Sequence, residues 1–284
     1  MRILVTGSGG MLGKQLLQYL KNKQLDVIGL KREQLSVTNF NQLNEKINEL
    51  MPDIIINCAG YTKVDMAELE RDKAFTLNAL APYYLSEICE RNKVYLVHIS
   101  SDYVFSGDKK EPYHPFDTPS PINYYGLSKL YGEYYIQRSK CDYLIVRTSW
   151  LYGPDGDNFF LKILNASEEK EQIQVVSDQY GAPTSTFTLC KFLLKLIERR
   201  ARGIFHITDR AGNGISWATF AEKIIEVFER KLKIIPVTTE SAVKRPAKRP
   251  KYSTLDISST EYFLGEKLPY WEICLGDLRN FLKI

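Results

Sequence analysis

Tyr125 and Lys129 stand four residues apart in a stretch of helical composition, a spacing that puts a phenol and an ammonium on one helical face. A cation beside a phenol favours the phenolate, so the pair is expected to lower the tyrosine pKa and let it give or take a proton near neutral pH. Ser101 supplies a third group. A serine at a strand end can hold a carbonyl oxygen beside the phenol, Tyr125 can deliver the proton, and a nicotinamide can supply hydride from the other side. The three residues read as a carbonyl-reducing set, with Lys129 also placed to bind the cofactor ribose.

A nucleotide needs its own seat. The run Met1-Arg-Ile-Leu-Val-Thr-Gly7 reads as a buried strand ending in glycine, followed by Gly10 and Gly13 and a helix through Lys14 to Leu20. Glycine permits the tight turn, and the free N–H groups at the helix start suit a pyrophosphate. The spacing, glycine at every third residue, differs by one position from the usual dinucleotide fingerprint. At the end of the next strand stand Lys31 and Arg32, which suit a ribose 2′-phosphate, so NADPH is the expected cofactor. Glu33 beside them leaves NADH possible.

The elements that must position these groups follow from the alternation of apolar runs and helical periods. Strands are expected at Asp26–Leu30, Asp53–Asn57, Val94–Ile99 and Tyr143–Arg147, with helices at Phe40–Leu50, Asp65–Arg91 and Tyr124–Ser139 between them. This order specifies an α/β fold, a Rossmann-type doubly wound parallel sheet whose ligands sit beyond the carboxyl ends of the strands. Residues 1–150 are expected to form the NAD(P)-binding domain. Residues 151–284 should make mainly a smaller, discontinuous substrate domain, interleaved with the first, to which segments near 172–207 return. Later expectations are helices near 158–166, 186–200, 217–230 and 271–282, and strands at 172–176, 203–207 and 233–237.

Composition sets the class. The chain has 284 residues, 44% of them hydrophobic and 25% charged, within the ordinary globular range. Its 38 basic and 34 acidic residues leave a formal charge of +4, too balanced to make nucleic acid the expected partner. Five cysteines without metal-type spacing and three scattered histidines suggest neither a disulfide framework nor a metal cluster. The opening strand leads into a glycine turn instead of a long apolar segment, and no apolar run is long enough to span a membrane. A cytoplasmic location without membrane attachment is therefore expected.

Several longer motifs carry a family resemblance. Thr6 through Gly13, Asn57-Cys-Ala-Gly60, Ser101 and the Tyr125/Lys129 pair resemble the extended short-chain dehydrogenase/reductase family. Asn57 to Glu68, Ser100 to Gly107, Arg147 to Tyr152, Asp178 to Thr184 and Arg249 to Leu255 narrow the resemblance to its dTDP-4-dehydrorhamnose reductases, over residues 1 to about 256. The resemblance implies NAD(P)H-dependent reduction of a 4-keto nucleotide sugar, the closing step of dTDP-rhamnose formation. It assigns catalysis to Ser101, Tyr125 and Lys129. Cofactor contacts fall on Gly7, Gly10, Met11, Leu12, Gly13, Lys31, Arg32, Cys58, Ala59, Gly60 and Tyr61, together with Tyr125 and Lys129. Asp102, Tyr103 and Trp150 should line the sugar pocket, and Arg249 should face the substrate diphosphate.

Related dehydratases carry an Asp-Glu pair after the catalytic hydroxyl, because elimination moves two protons. Here Ser101 is followed by Asp102 and Tyr103, which favours simple reduction. Some relatives are dimers bridged by magnesium through acidic side chains. The matching position on the first helix is Gln15, a poorer ligand than a carboxylate, so no metal is assigned and the chain is expected to be a monomer or homodimer. Two other readings stay open: a reductase of another dTDP-4-keto-deoxysugar, and a non-catalytic NADP-binding subunit like the regulatory subunit of methionine adenosyltransferase. The basic run Lys244 to Lys251 has no assigned role beyond Arg249.

Overall fold

The structure, a computed structural model, describes residues 1–283. In its first half, β1 (Arg2–Thr6), α1 (Met11–Asn22), β2 (Asp26–Leu30), α2 (Phe40–Leu50) and β3 (Ile54–Asn57) lead to the helices α3 (Val64–Leu69), α4 (Arg71–Phe75) and α5 (Ala81–Asn92). Next come β4 (Tyr95–Ser101), α6 (Tyr124–Arg138), β5 (Tyr143–Thr148) and β6 (Leu151–Tyr152). The second half holds α7 (Phe159–Glu169), β7 (Gln172–Val176), β8 (Tyr180–Gly181), β9 (Thr184–Ser185), α8 (Thr186–Glu198) and β10 (Gly203–His206). It closes with β11 (Ile215–Ser216), α9 (Trp217–Val227), β12 (Lys233–Val237), α10 (Ser258–Leu264) and α11 (Trp271–Leu282).

Six strands form one sheet in the order β10-β5-β4-β3-β1-β2, and every pairing in it is parallel. The apolar runs explain this. Ile3-Leu-Val5, Ile54-Ile-Ile56 and Leu144-Ile-Val146 are each fully buried, as strands covered on both faces must be. Alternate residues divide between two cores: Ile3 and Val5 pack with Leu16 and Leu20 of α1 and Leu193 of α8, while Leu4 and Ile55 pack with Leu43 of α2 and Leu85 of α5.

A third core lies outside this sheet. Phe160, Phe220, Trp271 and Leu278, from α7, α9 and α11, pack together beside a two-stranded parallel ribbon of β7 and β12. Within 172–207, α8 and β10 join the six-stranded sheet and its core, whereas β7 belongs to this separate ribbon.

The expected single helix from Asp65 to Arg91 is corrected by the structure. Its path breaks at Glu70 between α3 and α4, and residues Thr76–Leu80 form a π turn before α5. Pro82 supplies the reason. It has no N–H for the carbonyl of Asn78 four residues earlier, and its ring would clash with that carbonyl, so the ladder widens and Ala81 N–H bonds back to Thr76 O. The helix α10, with Gly265 at φ 61° as its left-handed stop, was not expected.

Candidate active site

The glycine turn is shaped by close backbone approach. Gly7 has φ +66°, and a Cβ there would lie 2.6 Å from the backbone nitrogen of Ala59, so only glycine lets β1 end this close to the chain leaving β3. A Cβ on Gly13 would overlap Gly7 O, which locks α1 against the turn. Gly10 caps α1 with extended backbone and its N–H bonds to Gly7 O at 3.0 Å. Leu12 points into the core, and Met11 lies beneath Gly156 and Asn158. A cleft of about 510 Å³ is lined by Gly7, Gly9, Gly10, Lys14, Lys31, Arg32 and Glu33. A helix start, three glycines and three cations in one cleft fit a dinucleotide carrying a pyrophosphate and a further phosphate.

The opposite rim is the chain after β3. Cys58 N–H bonds to Thr6 O, Ala59 N–H to Asn57 Oδ1, and Tyr61 N–H to Asn78 Oδ1 at 2.8 Å. Asn78 also donates to Tyr61 O and to Ser128 Oγ, so a side chain from the π turn fixes Gly60 and Tyr61 against α6. Burial pushes the Cys58 thiol up to about 12, against the pull of Lys129. The Tyr61 hydroxyl donates to Glu70.

Ser101 ends β4, and Tyr125 and Lys129 sit on the first turns of α6, which Asn123 caps by accepting from Gly126 N–H at 2.8 Å. A Cβ on Gly126 would overlap Tyr103 O, so this glycine lets the helix start close beside the β4 end. Ser101 Oγ donates to Asp102 Oδ1 and accepts from Tyr103 N–H. Deeper down, Glu133 and Arg147 form a fully buried ion pair that also takes the Ser100 hydroxyl, tying α6 to β4 and β5.

The electrostatics differ from the sequence expectation. Burial pushes Tyr125 up to about 12, with a hydrogen bond from Ser101 opposing and the Asp102 charge adding to the rise. Lys129, one helical turn after Tyr125, is buried, with Nζ donating to Ile99 O at 2.6 Å and 3.3 Å from His98 Nε2. Burial lowers its pKa to about 8, while Glu133 and Cys58 pull the other way. Where Lys129 was expected to lower the phenol, burial raises it.

On the other side of the phenol, the Tyr103 ring meets Tyr125 edge-on at 5.7 Å. Asp102 is buried and pushed up to about 7, with the Ser253 and Ser101 hydroxyls opposing. Arg249 turns both terminal nitrogens to Asp65, at 2.5 and 2.7 Å, and lies beside Tyr103. It is thus engaged by a carboxylate where an open diphosphate contact was expected. Residues 247–249 form a strap here, stitched down by Asn123 Nδ2 to Lys248 O and by Ala247 N–H to Asp65. Trp150 has φ +45° and stacks on Trp217 at 3.5 Å, with Gly181 against its indole. Gln15 is buried in the inward face of α1.

Sequence reasoning missed Asn57, Asn78, His98 and Asp65 as site-shaping residues. Pro82, four residues after Asn78, was the available signal for the π turn. Nothing local marked Asp65 as the partner of a residue 184 positions away.

The sequence profile described as the RmlD substrate binding domain matches residues 1–283. Spore coat polysaccharide biosynthesis protein SpsK of Bacillus subtilis is 38% identical over 97% of this chain and 96% of its own. A dTDP-4-dehydrorhamnose reductase of Aggregatibacter actinomycetemcomitans is 33% identical over 99% of both. The crystal structure of the dTDP-4-dehydrorhamnose reductase of Bacillus anthracis in complex with NADP superposes with a TM-score of 0.94 at 39% identity, over 100% of this chain and 99% of that one.

Proposed function

The chain belongs to the RmlD substrate binding domain family, and we propose on that basis that it reduces the 4-keto group of dTDP-4-dehydro-6-deoxy-L-mannose to give dTDP-L-rhamnose, with NADPH as reductant. The observation that carries the assignment is the convergence of Ser101, Tyr125 and Lys129 at the end of β4 and start of α6, within a scaffold superposing on an NADP-bound reductase.

Bound NADPH supplies the hydride. Tyr125 Oη gives its proton to the C4 carbonyl oxygen as negative charge develops there, and a proton bound until that moment is what a phenol raised to about 12 provides. Ser101 Oγ holds the same oxygen. Lys129, as the ammonium, stabilises the phenolate left behind and holds the ribose. Lys31 and Arg32 would receive the 2′-phosphate, and the N–H groups at the start of α1, after Gly10, would receive the pyrophosphate. Tyr103, Asp102 and the exposed edge of Trp150 bound the sugar. Arg249, neutralised by Asp65, fastens the strap over this side and steadies Tyr103.

The test is to supply the purified protein with NADPH and dTDP-4-dehydro-6-deoxy-L-mannose and identify the product by NMR. Formation of dTDP-L-rhamnose with matched loss of NADPH is expected. Cofactor binding without turnover would contradict the assignment and favour a regulatory module, and a product from a different keto-sugar would move the substrate.

A further inference from the structure

The register of the parallel sheet sets three polar side chains in a row. Thr6 of β1 is paired with Asn57 of β3, and Asn57 with His98 of β4, so the three side chains are cross-strand neighbours on one buried face. Lys129 of α6 closes the row. Thr6 Oγ1 donates to Asn57 Oδ1 at 2.8 Å, Asn57 Nδ2 lies 3.1 Å from His98 Nδ1, and His98 Nε2 lies 3.3 Å from Lys129 Nζ.

One contact fixes the sense of the whole row. The backbone N–H of Ala59 can only donate, and it points at Asn57 Oδ1. The amide nitrogen of Asn57 must then face His98, and since that nitrogen can only donate, His98 Nδ1 must accept. A neutral imidazole then carries its proton on Nε2. Burial and the neighbouring Lys129 keep His98 well below its usual range, so neutral is the state it holds. Its Nε2–H is therefore aimed at Lys129 Nζ. That is a hydrogen bond when the lysine is an amine and a clash of two donors when it is an ammonium.

Building on the reductase reading above, we propose that His98 is a positioning residue that, locked in its Nε2–H tautomer by Asn57 and Ala59, disfavours the Lys129 ammonium and keeps its proton exchangeable beside Tyr125. The groups facing Lys129 divide by sign. Glu133, one turn along α6, and Cys58, after β3, favour its charge, whereas burial opposes it; the Nε2–H of His98, 3.3 Å from Nζ, is the further opposing group in this proposal. Tyr125 precedes it on α6, and its phenolate would be the recipient of the proton. A lysine whose proton affinity lies near the working pH can return a proton to a phenolate and regain one between turnovers.

Two measurements test this. Imidazole ¹⁵N spectra of the wild-type chain, which has three histidines, report the His98 tautomer without substrate or turnover, and so stand apart from the reductase assignment. A proton on Nε2 is expected, and a proton on Nδ1 would overturn the proposal. The pH profile of NADPH-dependent reduction tests the consequence. Activity should fall as Lys129 loses its proton near pH 8. In His98→Phe, with the opposing N–H gone, that limb should move to higher pH by about 0.5 units or more. Asn57→Asp, which keeps the acceptor for Ala59 but offers His98 Nδ1 an acceptor, should move it the same way. An unmoved or lowered limb overturns the proposal, because a purely structural role would reduce the rate without displacing the profile.

Discussion

Asp102 and Asp209 show what burial does to single carboxyls in this protein. Asp102 is pushed up to about 7 and Asp209 to about 6, in both cases chiefly by desolvation. Between about pH 4, where an unfolded aspartate ionises, and these raised values, the folded chain holds protons that the unfolded chain has released. Stability should therefore fall as pH rises through about 4 to 7 and level off above. Urea midpoints against pH should show this slope, and Asp102→Asn should flatten part of it. A second residue-scale expectation concerns the cofactor. Arg32→Ala should raise KM for NADPH more than for NADH, because only the former carries the phosphate that Arg32 would meet; equal changes would remove that role. At this scale type and spacing were enough to propose Ser101, Tyr125 and Lys129 as the reacting groups. They missed what surrounds them: Arg249 is engaged by Asp65, and Trp150 stacks on Trp217, because both partners lie far along the chain.

The helix α6 depends on a few anchors. Asn123 caps α6 and also donates to Lys248 O, so Asn123→Ala should destabilise the fold by about 1 kcal/mol, the usual magnitude for a lost cap, and loosen the strap at the same time. Thermal melts and the KM for the sugar nucleotide would read the two effects. Glu133 matters more. It takes Arg147 in a fully buried bidentate pair, and Glu133→Gln leaves that guanidinium without its countercharge, an expected loss of about 3–5 kcal/mol by denaturant titration. A loss under 1 kcal/mol would mean that the pair does not hold α6 to the sheet. Periodicity made most strands and helices legible, because their apolar faces are regular. The π turn and the break at Glu70 were not, since a proline inside an otherwise helical pattern decides how the ladder reroutes.

The whole molecule joins a six-stranded parallel sheet to a separate helical core, and Gly7, Ser101 and the start of α6 lie beyond the carboxyl ends of the sheet strands. Alternating composition was enough to expect the parallel sheet, because uninterrupted runs such as Ile54-Ile-Ile56 must be covered on both faces. Which later segment joins the sheet was harder to read. Gly203–His206 and Gln172–Val176 look alike as short strands, and only their partners, β5 for one and β12 for the other, distinguish them. Among the described residues no helix is long and apolar enough to cross a membrane. The central claim is that this assembled site reduces a ketone by proton transfer from Tyr125. The most direct measurement is single-turnover NADPH oxidation with dTDP-4-dehydro-6-deoxy-L-mannose, comparing wild type with Tyr125→Phe after NADPH binding has been shown equal in both. The account predicts a rate at least about 10²-fold lower in the variant. A variant that oxidises NADPH at the wild-type rate would contradict it.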